Sequence, residues 1–431
     1  MGEDRGVKNL VFFLVTCLVI SQSGFGVLLE GDNTYVIPAC ENSLLEQEDI
    51  EYLTELAHDT FECLLYFVNQ ETGLPYDSSS REPFTSITNI GLYLASLCAG
   101  YKMGFIEETE ALDRITKTLE SLGRIPRWHG FPITWVDVST LSRYFSDPMS
   151  YADHVGNLLA GLIVTKETFP QFRDWIESYI AQMDFGFTYD EKTGWLKGGW
   201  DPERGDFAIK QPWGDWYYNF LAADTRIFSF YGVASGKIPR RHWDSLKRDY
   251  IIWEGEKIYY PGWEGGGLFM QYLPGIFLNE EGTKMKESAR AFARAQIKHK
   301  DVLGYPVWGW SACEAPDGRY LGWGTLKDEV ITPHASLLAI EDFPMEVIAN
   351  LKELEKFGVR APFVEEGKEY NFGFRDSYNV RTGETSEKYL ILDQAMIFLS
   401  LANFLTGGFL RNAFSSDPII QAGLKALRDN Y

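Results

Sequence analysis

Carboxylate side chains of this 431-residue chain concentrate in long, glycine-rich segments that also hold most of its tryptophans. Glu264 lies between Trp263 and three glycines, and Glu314 follows Trp308-Gly-Trp310 after three residues. One carboxylic acid can protonate a glycosidic oxygen while a second carboxylate activates water or attacks the sugar. Indole rings suit the C–H face of a sugar ring. These segments therefore predict a carbohydrate site.

Asp393 is the carboxylate with the most unusual setting. It interrupts the strongly apolar helical stretch 389–407, where an unpaired carboxylate would cost several kcal/mol in desolvation. Either it pairs with Arg226 or Arg375, or it faces a central cavity, where it would be a candidate base. Both interpretations are open at the level of the sequence.

The candidate site residues fall into two groups. We predict catalytic roles for Glu264, Glu314, Asp393 and Asp153. We predict substrate contacts for Trp213, Trp216, Trp263, Trp308, Trp310, Asp376 and Tyr378.

Each candidate also has a purely structural interpretation. Asp153 and Glu264 could cap the helices that follow them, and Glu314 could be an ordinary loop acid. The tryptophans could be core residues. Asp224 with Arg226 has the spacing of a structural ion pair, and His334 fits a core histidine with satisfied hydrogen bonds.

Helical periodicity recurs from about residue 43 to the end of the chain, in two kinds of segment that alternate. Apolar segments rich in Gly, Ala and Ser, typical of buried helices, are 88–103, 152–168, 222–237, 265–280, 331–342 and 389–407. Segments with one charged face are 43–68, 108–122, 170–184, 240–247, 285–302 and 345–357, and a further helix is predicted over 416–428.

This alternation predicts an all-α fold, an (α/α)6 toroid barrel formed by a single domain over residues 40–431. A plain helical bundle is the alternative. The connections that lead into the apolar helices are long and contain eleven of the thirteen tryptophans, within 123–151, 185–221, 249–264 and 303–330. We therefore expect one barrel face with aromatic-rich loops and small hairpins, such as Phe185–Tyr189 and Lys257–Tyr260.

Composition limits the partners. The net charge of −21 argues against nucleic acid and anionic membranes, because phosphate binding relies on Lys and Arg. Residues 1–27 contain a short apolar run and fit a secretory signal, with a retained membrane anchor as the alternative. A Cys40–Cys63 disulfide and unpaired buried cysteines both remain open. The chain has six scattered histidines and no Cys-x-x-Cys, so we expect no metal and no cofactor.

Several motifs together resemble the glycoamylase-like proteins and the related domains of cyclic glucan synthases. They are Thr85-Ser-Ile-Thr-Asn-Ile-Gly-Leu-Tyr-Leu94, Trp135 to Leu141, Asp153 to Leu158, Ala222 to Trp243, Trp308 to Ala335 and Tyr389 to Ala395. The resemblance spans roughly residues 45–428. It implies an (α/α)6 barrel and, for some members, hydrolysis or transfer on β-1,2-linked glucans.

By position, the resemblance makes Asp393 a candidate base and Glu314 an acidic site residue. One position departs from the family, since Met270 stands where a glutamate is expected, beside Gln271. Either Glu264 substitutes for that glutamate or the chemistry differs.

The leading hypothesis is a secreted glycoside hydrolase that cleaves an oligo- or polysaccharide. Glu264 or Glu314 would be the acid and Asp393 the base, in an inverting arrangement. The alternatives are a non-catalytic carbohydrate-binding barrel, and a polysaccharide lyase or sugar epimerase on the same scaffold.

Overall fold

The computed structural model describes residues 26–28, 34–36, 45–212, 214–259, 267–321 and 329–431, and helices dominate this part of the chain. In chain order they are α1 (Gln47–Tyr66), α2 (Ile87–Met103), α3 (Glu108–Arg124), α4 (Ala152–Thr168), α5 (Arg173–Ala181), α6 (Phe185–Thr188), α7 (Arg226–Ala234), α8 (Arg241–Ser245), α9 (Leu268–Phe277), α10 (Lys284–Leu303), α11 (Pro333–Leu337), α12 (Pro344–Lys356), α13 (Ile391–Thr406), α14 (Phe409–Ser415) and α15 (Pro418–Leu427). Short 3-10 turns occur at Pro170–Phe172 and Arg428–Asn430.

The helices form a barrel of paired inner and outer helices, as predicted. Inner helices α2, α4, α7, α9, α11 and α13 are buried along most of their length. Helix α2 packs against α4, α4 against α7, and α13 packs against both α11 and α2. The amphipathic helices α1, α3, α5, α8, α10 and α12 alternate with them along the chain. The all-α (α/α)6 prediction is confirmed.

Glycine and capping residues explain the tight packing of α2 and α4. A Cβ atom on Gly161 would lie only 1.9 Å from the carbonyl oxygen of Gly91, so the two helix backbones touch. The Ser86 side chain accepts a hydrogen bond from the Asn89 backbone N–H and so caps the start of α2. Gly104 ends the helix in the left-handed conformation, with φ +76°.

The strands are short and pair in antiparallel fashion within the connections or between them. The pairs are β1 (Gly26–Leu28) with β2 (Thr34–Val36), β3 (Phe84–Ser86) with β6 (Trp135–Asp137), β4 (Arg127–Trp128) with β5 (Phe131–Pro132), β7 (Leu196–Lys197) with β12 (Tyr217–Tyr218), β8 (Trp200–Asp201) with β9 (Asp206–Phe207), β10 (Lys210–Gln211) with β11 (Gly214–Asp215), β13 (Tyr250–Trp253) with β14 (Glu256–Tyr259), β15 (Cys313–Glu314) with β16 (Tyr320–Leu321), β17 (Val330–Ile331) with β20 (Tyr378–Asn379), and β18 (Phe363–Glu365) with β19 (Lys368–Tyr370).

One of the two predicted hairpins is confirmed. Residues 257–259 lie in β14 (Glu256–Tyr259), which pairs with β13. The other prediction was wrong, because Phe185–Thr188 is the helical turn α6. The Asp184 side chain stabilises this helical turn, because it accepts a hydrogen bond from the backbone N–H of Phe187 and so caps the turn.

Three inner helices are shorter than predicted. Helix α7 covers nine residues, α9 ten and α11 five. Helix α9 contains Pro274, which lacks a backbone donor, close to its C-terminus. After Leu337 the chain continues as tight turns with i→i+3 hydrogen bonds, such as Ile340 N–H to Leu337 O, rather than as α-helix.

The two ends of the barrel differ in construction. Residues at the starts of α2, α4, α7, α11 and α13 interact with one another, so these inner helices begin at one end of the barrel, which we call the mouth. Strands from the connections that lead into these helices pair there, such as β3 with β6 and β17 with β20. Helix α14 bends 90° away from α13 and packs against α4 and α9, which covers the opposite end, called the closed end. In the ranges described, no single helix is long and apolar enough to cross a membrane, although the bent pair α13–α14 reaches that measure together.

Candidate active site

Four carboxyl groups gather at the mouth beside the start of α13. They form what we call the main carboxyl cluster, which consists of Asp77, Glu314, Asp376 and Asp393. The side chains of Asp376 and Asp393 are both buried, and each affects the protonation of the other. Two ionised carboxylates buried side by side would repel each other, which favours the form in which the pair holds a proton.

Burial controls the protonation of this pair. It raises the pKa of Asp393 to about 8, and the charge of Asp77 adds to the effect. Burial together with the charge of Asp393 raises the pKa of Asp376 well above its usual range. The loss of solvation therefore outweighs the positive end of α13, which would favour the ionised form. The pair is a proton-holding unit at neutral pH.

Glu314 is attached to this pair but has a cation beside it. Its backbone N–H donates a 2.6 Å hydrogen bond to Asp376 Oδ2. Its side chain accepts a 3.0 Å hydrogen bond from Lys388 Nζ, and Lys388 also approaches Glu82 at 3.5 Å. Although burial opposes it, the hydrogen bond to Glu314 raises the pKa of Lys388. Glu314 and Lys388 thus form a charged pair beside a protonated pair.

Asp77 enters the main carboxyl cluster from the connection between α1 and α2. Its side chain accepts a 2.9 Å hydrogen bond from Asn89 Nδ2, and its carbonyl oxygen accepts one from the Ile391 backbone N–H. Burial raises its pKa to about 6, partly offset by the Asn89 hydrogen bond. The segment after α1 is thereby fixed to the start of α13.

His334 stands behind Asp393 at the start of α11. Its Nδ1 lies 2.7 Å from Thr332 Oγ1 and 3.0 Å from Asp393 Oδ2. The ring is fully buried, and this burial lowers its pKa to about 4. The imidazole is therefore neutral at physiological pH. It is not a satisfied core histidine, because Nε2 has no hydrogen-bond partner among the described residues.

A second carboxyl pair, Asp153 and Asp224, lies at the starts of α4 and α7. Burial, followed by the charge of Asp153, raises the pKa of Asp224 to about 7. His154 Nε2 is 3.6 Å from Asp153 Oδ2, and burial lowers the pKa of this histidine. The N-cap of α4 is Tyr151, so Asp153 does not have the predicted capping role.

Two consecutive residues of α2 connect the acidic groups. Thr88 Oγ1 lies 2.9 Å from His154 Nδ1, whereas Asn89 donates to Asp77. The main carboxyl cluster and the second carboxyl pair therefore belong to one site. Several buried polar atoms near it lack a hydrogen-bond partner in the described part of the chain: Asn89 Oδ1, Asp153 Oδ1, Asn157 Oδ1, His334 Nε2 and Gln394 Oε1.

Such unsatisfied atoms are rare in folded proteins, and a cluster of them indicates a place for water or a ligand. No group of three potential metal-ligating side chains occurs within the residues that the structure describes. The arrangement is suited to proton transfer to and from a polyhydroxylated substrate.

Two predicted substrate-binding tryptophans are core residues instead. Trp308 and Trp310 are only 2% and 1% exposed. The Asn350 side chain hydrogen-bonds to the backbone of Trp308, and the Gln296 side chain does the same for Trp310. These amides hold the segment between α10 and α12, so both indole rings point into the core. Their burial leaves little ring surface for the predicted substrate contacts.

The other predicted aromatic contacts have mixed outcomes. Tyr378 is buried, and its ring stacks on Phe357 at 5.0 Å, which leaves little of it open to a substrate. Trp216 is half-buried above Gly198 and Gly199, where any side chain would collide with the indole. It keeps part of its ring open to solvent and remains a candidate subsite residue.

Three predicted site residues, Trp213, Trp263 and Glu264, lie outside the described residues, as do the N-terminal segment 1–25 and Cys40. Cys63 is a buried free thiol.

Some site residues were not identified from the sequence. Asp224 was interpreted as the ion-pair partner of Arg226, but Arg226 Nε lies 2.6 Å from Glu280 Oε1. Arg375 binds backbone carbonyl groups, so neither arginine pairs with Asp393. No local sequence pattern marks Asp77 or Lys388 as a site residue, because only the folding of distant segments brings them to the mouth.

The fold and the site define a class of protein, the (α/α)6 barrels with an acidic mouth. Residues 222–418 match the model of the glycoamylase family, described as "Putative glucoamylase". A second model, described as a protein of unknown function, matches residues 55–212. The resemblance to the glycoamylase-like proteins is confirmed.

Known relatives include two proteins of β-1,2-glucan metabolism. The chain is 26% identical over 345 residues to the cyclic beta-(1,2)-glucan synthase NdvB of Rhizobium meliloti, covering 74% of the chain and 11% of the synthase. It is 21% identical over 455 residues to the exo beta-1,2-glucooligosaccharide sophorohydrolase of Parabacteroides distasonis, covering 91% of the chain and 62% of that protein. The chain thus spans only part of either relative.

A solved structure shares the fold. The endo-beta-1,2-glucanase of Chitinophaga pinensis, in complex with sophorotriose and glucose, superimposes with a TM-score of 0.73 at 18% identity. The match covers 89% of this chain and 98% of the glucanase. This likeness shows a common barrel architecture.

Proposed function

We propose that the protein is a glycoside hydrolase that cleaves β-1,2-linked glucan or its oligosaccharides at the mouth. The observation that carries this proposal is the buried pair of Asp376 and Asp393, which holds a proton beside the ion-paired carboxylate of Glu314. Hydrolysis of a glycoside requires both a proton donor and an ionised carboxylate. The sugar class rests on the relatives, which include a synthase and a hydrolase of β-1,2-linked glucans.

The roles proposed from the electrostatics differ from those expected from the sequence. Asp393, with a pKa of about 8, carries a proton at neutral pH and donates it to the leaving glycosidic oxygen. Glu314, paired with Lys388, is the carboxylate that activates water. His334 contacts Asp393 from the side of the core and holds the carboxyl group in position.

The second carboxyl pair binds substrate in this proposal. Asp153 and Asp224 lie where the sugar chain would extend along the mouth, with the half-buried indole of Trp135 5.5 Å from the ring of His154. Carboxyl oxygens accept hydrogen bonds from sugar hydroxyls, and an indole ring covers the C–H face. A negatively charged polymer would be repelled by this surface, so a neutral glucan is the substrate class.

A hydrolysis assay tests the function. Linear β-1,2-glucan and sophorooligosaccharides are incubated with the full chain, and new reducing ends are measured beside β-1,3-, β-1,4- and α-1,4-glucans. We expect activity on the β-1,2 linkage and a decrease of about 10²–10⁴-fold in kcat for Asp393→Asn, the usual contribution of a general acid or base.

Asp215→Asn is the matched control, because Asp215 is exposed in β11 and its carboxylate pairs with the Lys210 side chain. It should keep the wild-type rate. The proposal fails if no glucan is cleaved, or if Asp393→Asn and Asp215→Asn have equal rates. Binding of β-1,2-glucan without cleavage, unaffected by Asp393→Asn, would support a carbohydrate-binding barrel instead.

A further inference from the structure

The closed end contains a cavity that the proposed hydrolysis does not use. It has a volume of about 280 Å³ and lies between α9, α10, α13 and the turns after α11. Ligand sites usually measure about 300–1,000 Å³. This cavity lies just below that range and is large enough for one small molecule. It is lined by the inner part of α9 and by Ser400 of α13, and Arg411 of α14 stands at its edge.

Two buried polar groups line this cavity without a hydrogen-bond partner among the described residues. They are Gln271 Oε1 and Ser400 Oγ. Gln271 is fully buried and Ser400 is 5% exposed. The other amide atom of Gln271, Nε2, already donates to the carbonyl oxygen of Tyr259. A buried polar atom that lacks a partner costs about 1–3 kcal/mol, so a ligand or water that satisfies both groups is favoured.

The acidic side chains around the cavity form ion pairs with basic ones, which restricts the charge of a possible ligand. Asp342 lies 2.8 Å from both Lys286 Nζ and Arg290 Nε. Arg411 forms a two-point ion pair with Glu341. The remaining lining acids are matched as well, Glu280 by Arg226 and Glu281 by Arg290. A charged ligand would have to break one of these pairs, whereas a neutral one would not.

We propose that this closed-end cavity binds a small neutral polyhydroxylated molecule, one sugar ring in size. Hydroxyl groups donate to Gln271 Oε1 and exchange hydrogen bonds with Ser400 Oγ. The side chains of Ile276, Leu338 and Ile340, which also line the cavity, cover the C–H surface of the ring. This site is separate from the mouth, and it does not depend on the hydrolytic function.

Binding of D-glucose to the full chain tests the proposal. Crystals soaked in D-glucose should contain a sugar ring in the cavity, and calorimetry should detect a site that Ser400→Ala weakens about tenfold, as expected for one lost hydrogen bond in a buried site. Ala289→Leu places a larger side chain into the same cavity and should abolish the binding. D-Glucuronate and D-glucosamine, which are charged, should bind more weakly than D-glucose.

Two control variants separate this site from other effects. Ser96→Ala removes a buried hydroxyl that bonds within α2, and Asp393→Asn alters the mouth; both should keep the closed-end site. Circular dichroism shows whether Ala289→Leu folds. If it does not, Ser400→Ala alone tests the proposal, because it removes an unsatisfied hydroxyl and should not destabilise the sugar-free protein. Water alone in the soaked cavity, wild-type affinity in Ser400→Ala, or equal affinity for the charged sugars would overturn the proposal.

Discussion

The mouth and the closed end of the barrel treat buried acids in opposite ways. At the mouth, Asp376 faces Asp393, and burial raises both pKa values. At the closed end, Asp342 is also buried, but Lys286 and Arg290 lower its pKa although burial opposes them. At the closed end, cations form ion pairs with the buried acids. At the mouth, two buried acids face each other instead. Buried acids that face one another are typical of functional sites, whereas acids paired with cations generally stabilise the structure.

The largest effect in this comparison should come from breaking the buried ion pair between Arg226, at the start of α7, and Glu280, which lines the closed-end cavity. Arg226→Met leaves Glu280 buried without its cation, which should lower the free energy of unfolding by about 3–5 kcal/mol. Chemical denaturation measures this change. Arg204→Met is the control, since Arg204 forms an exposed ion pair with Asp201 and should cost about 1 kcal/mol or less. Similar losses for both variants would mean that the closed-end pairs are not structural.

The tryptophans allow a similar comparison between core and mouth. Trp310→Ala should cost about 3–5 kcal/mol of stability, because the side chain is only 1% exposed. Trp216→Ala should leave most of the stability but raise KM for glucan about 2–10-fold, the worth of one aromatic contact. Thermal unfolding and steady-state kinetics measure the two effects. The reverse pattern would place the substrate at Trp310.

The pH dependence of stability should differ between wild type and Asp393→Asn. In the unfolded chain Asp393 ionises near pH 3.8, whereas in the folded protein it stays protonated until about pH 8. Its contribution to stability is therefore complete below pH 3.8 and is lost as the pH rises through that window. Relative to Asp393→Asn, the wild type should lose at least about 1 kcal/mol between pH 4 and 8. Parallel stability curves in urea denaturation would contradict this.

A smaller effect is expected at the second carboxyl pair. Asp153→Asn removes the charge that acts on Asp224, so the pKa of Asp224 should fall below its value of about 7. Burial is the larger cause, so the pKa should remain above the ordinary 3.8. Carboxyl-carbon NMR titration of labelled aspartate measures it. An unchanged Asp224 pKa would show that the two groups do not interact.

The helical framework could be predicted from the sequence, whereas the contacts of single side chains could not. The apolar segment 88–103 is predicted to be a buried helix, and α2 covers Ile87–Met103, because such a long apolar segment does not depend on the details of packing. The partner of Arg226 is different, because a long side chain can pass by its sequence neighbour Asp224. It pairs with Glu280, 54 residues away, for reasons that depend on the fold.

The site was predicted in part for the same reason. Asp393 stood out because a carboxylate in an apolar helix needs an explanation, and the structure gives one in Asp376 and His334. Trp308 and Trp310 are more buried than the sequence suggests, because glycine-rich surroundings resemble an open loop. Their burial depends on amide side chains of α10 and α12 that bind their backbone, which no local pattern reveals.

We expect the mouth to hold a proton between Asp376 and Asp393 at neutral pH. Infrared difference spectroscopy of wild type against Asp393→Asn tests it directly, through the carbonyl stretch of a protonated carboxyl group. We predict that the wild type shows this band at pH 7 and loses it only as the pH approaches about 8 or above. A wild-type protein whose carboxyl groups are all ionised by pH 6 would contradict the account.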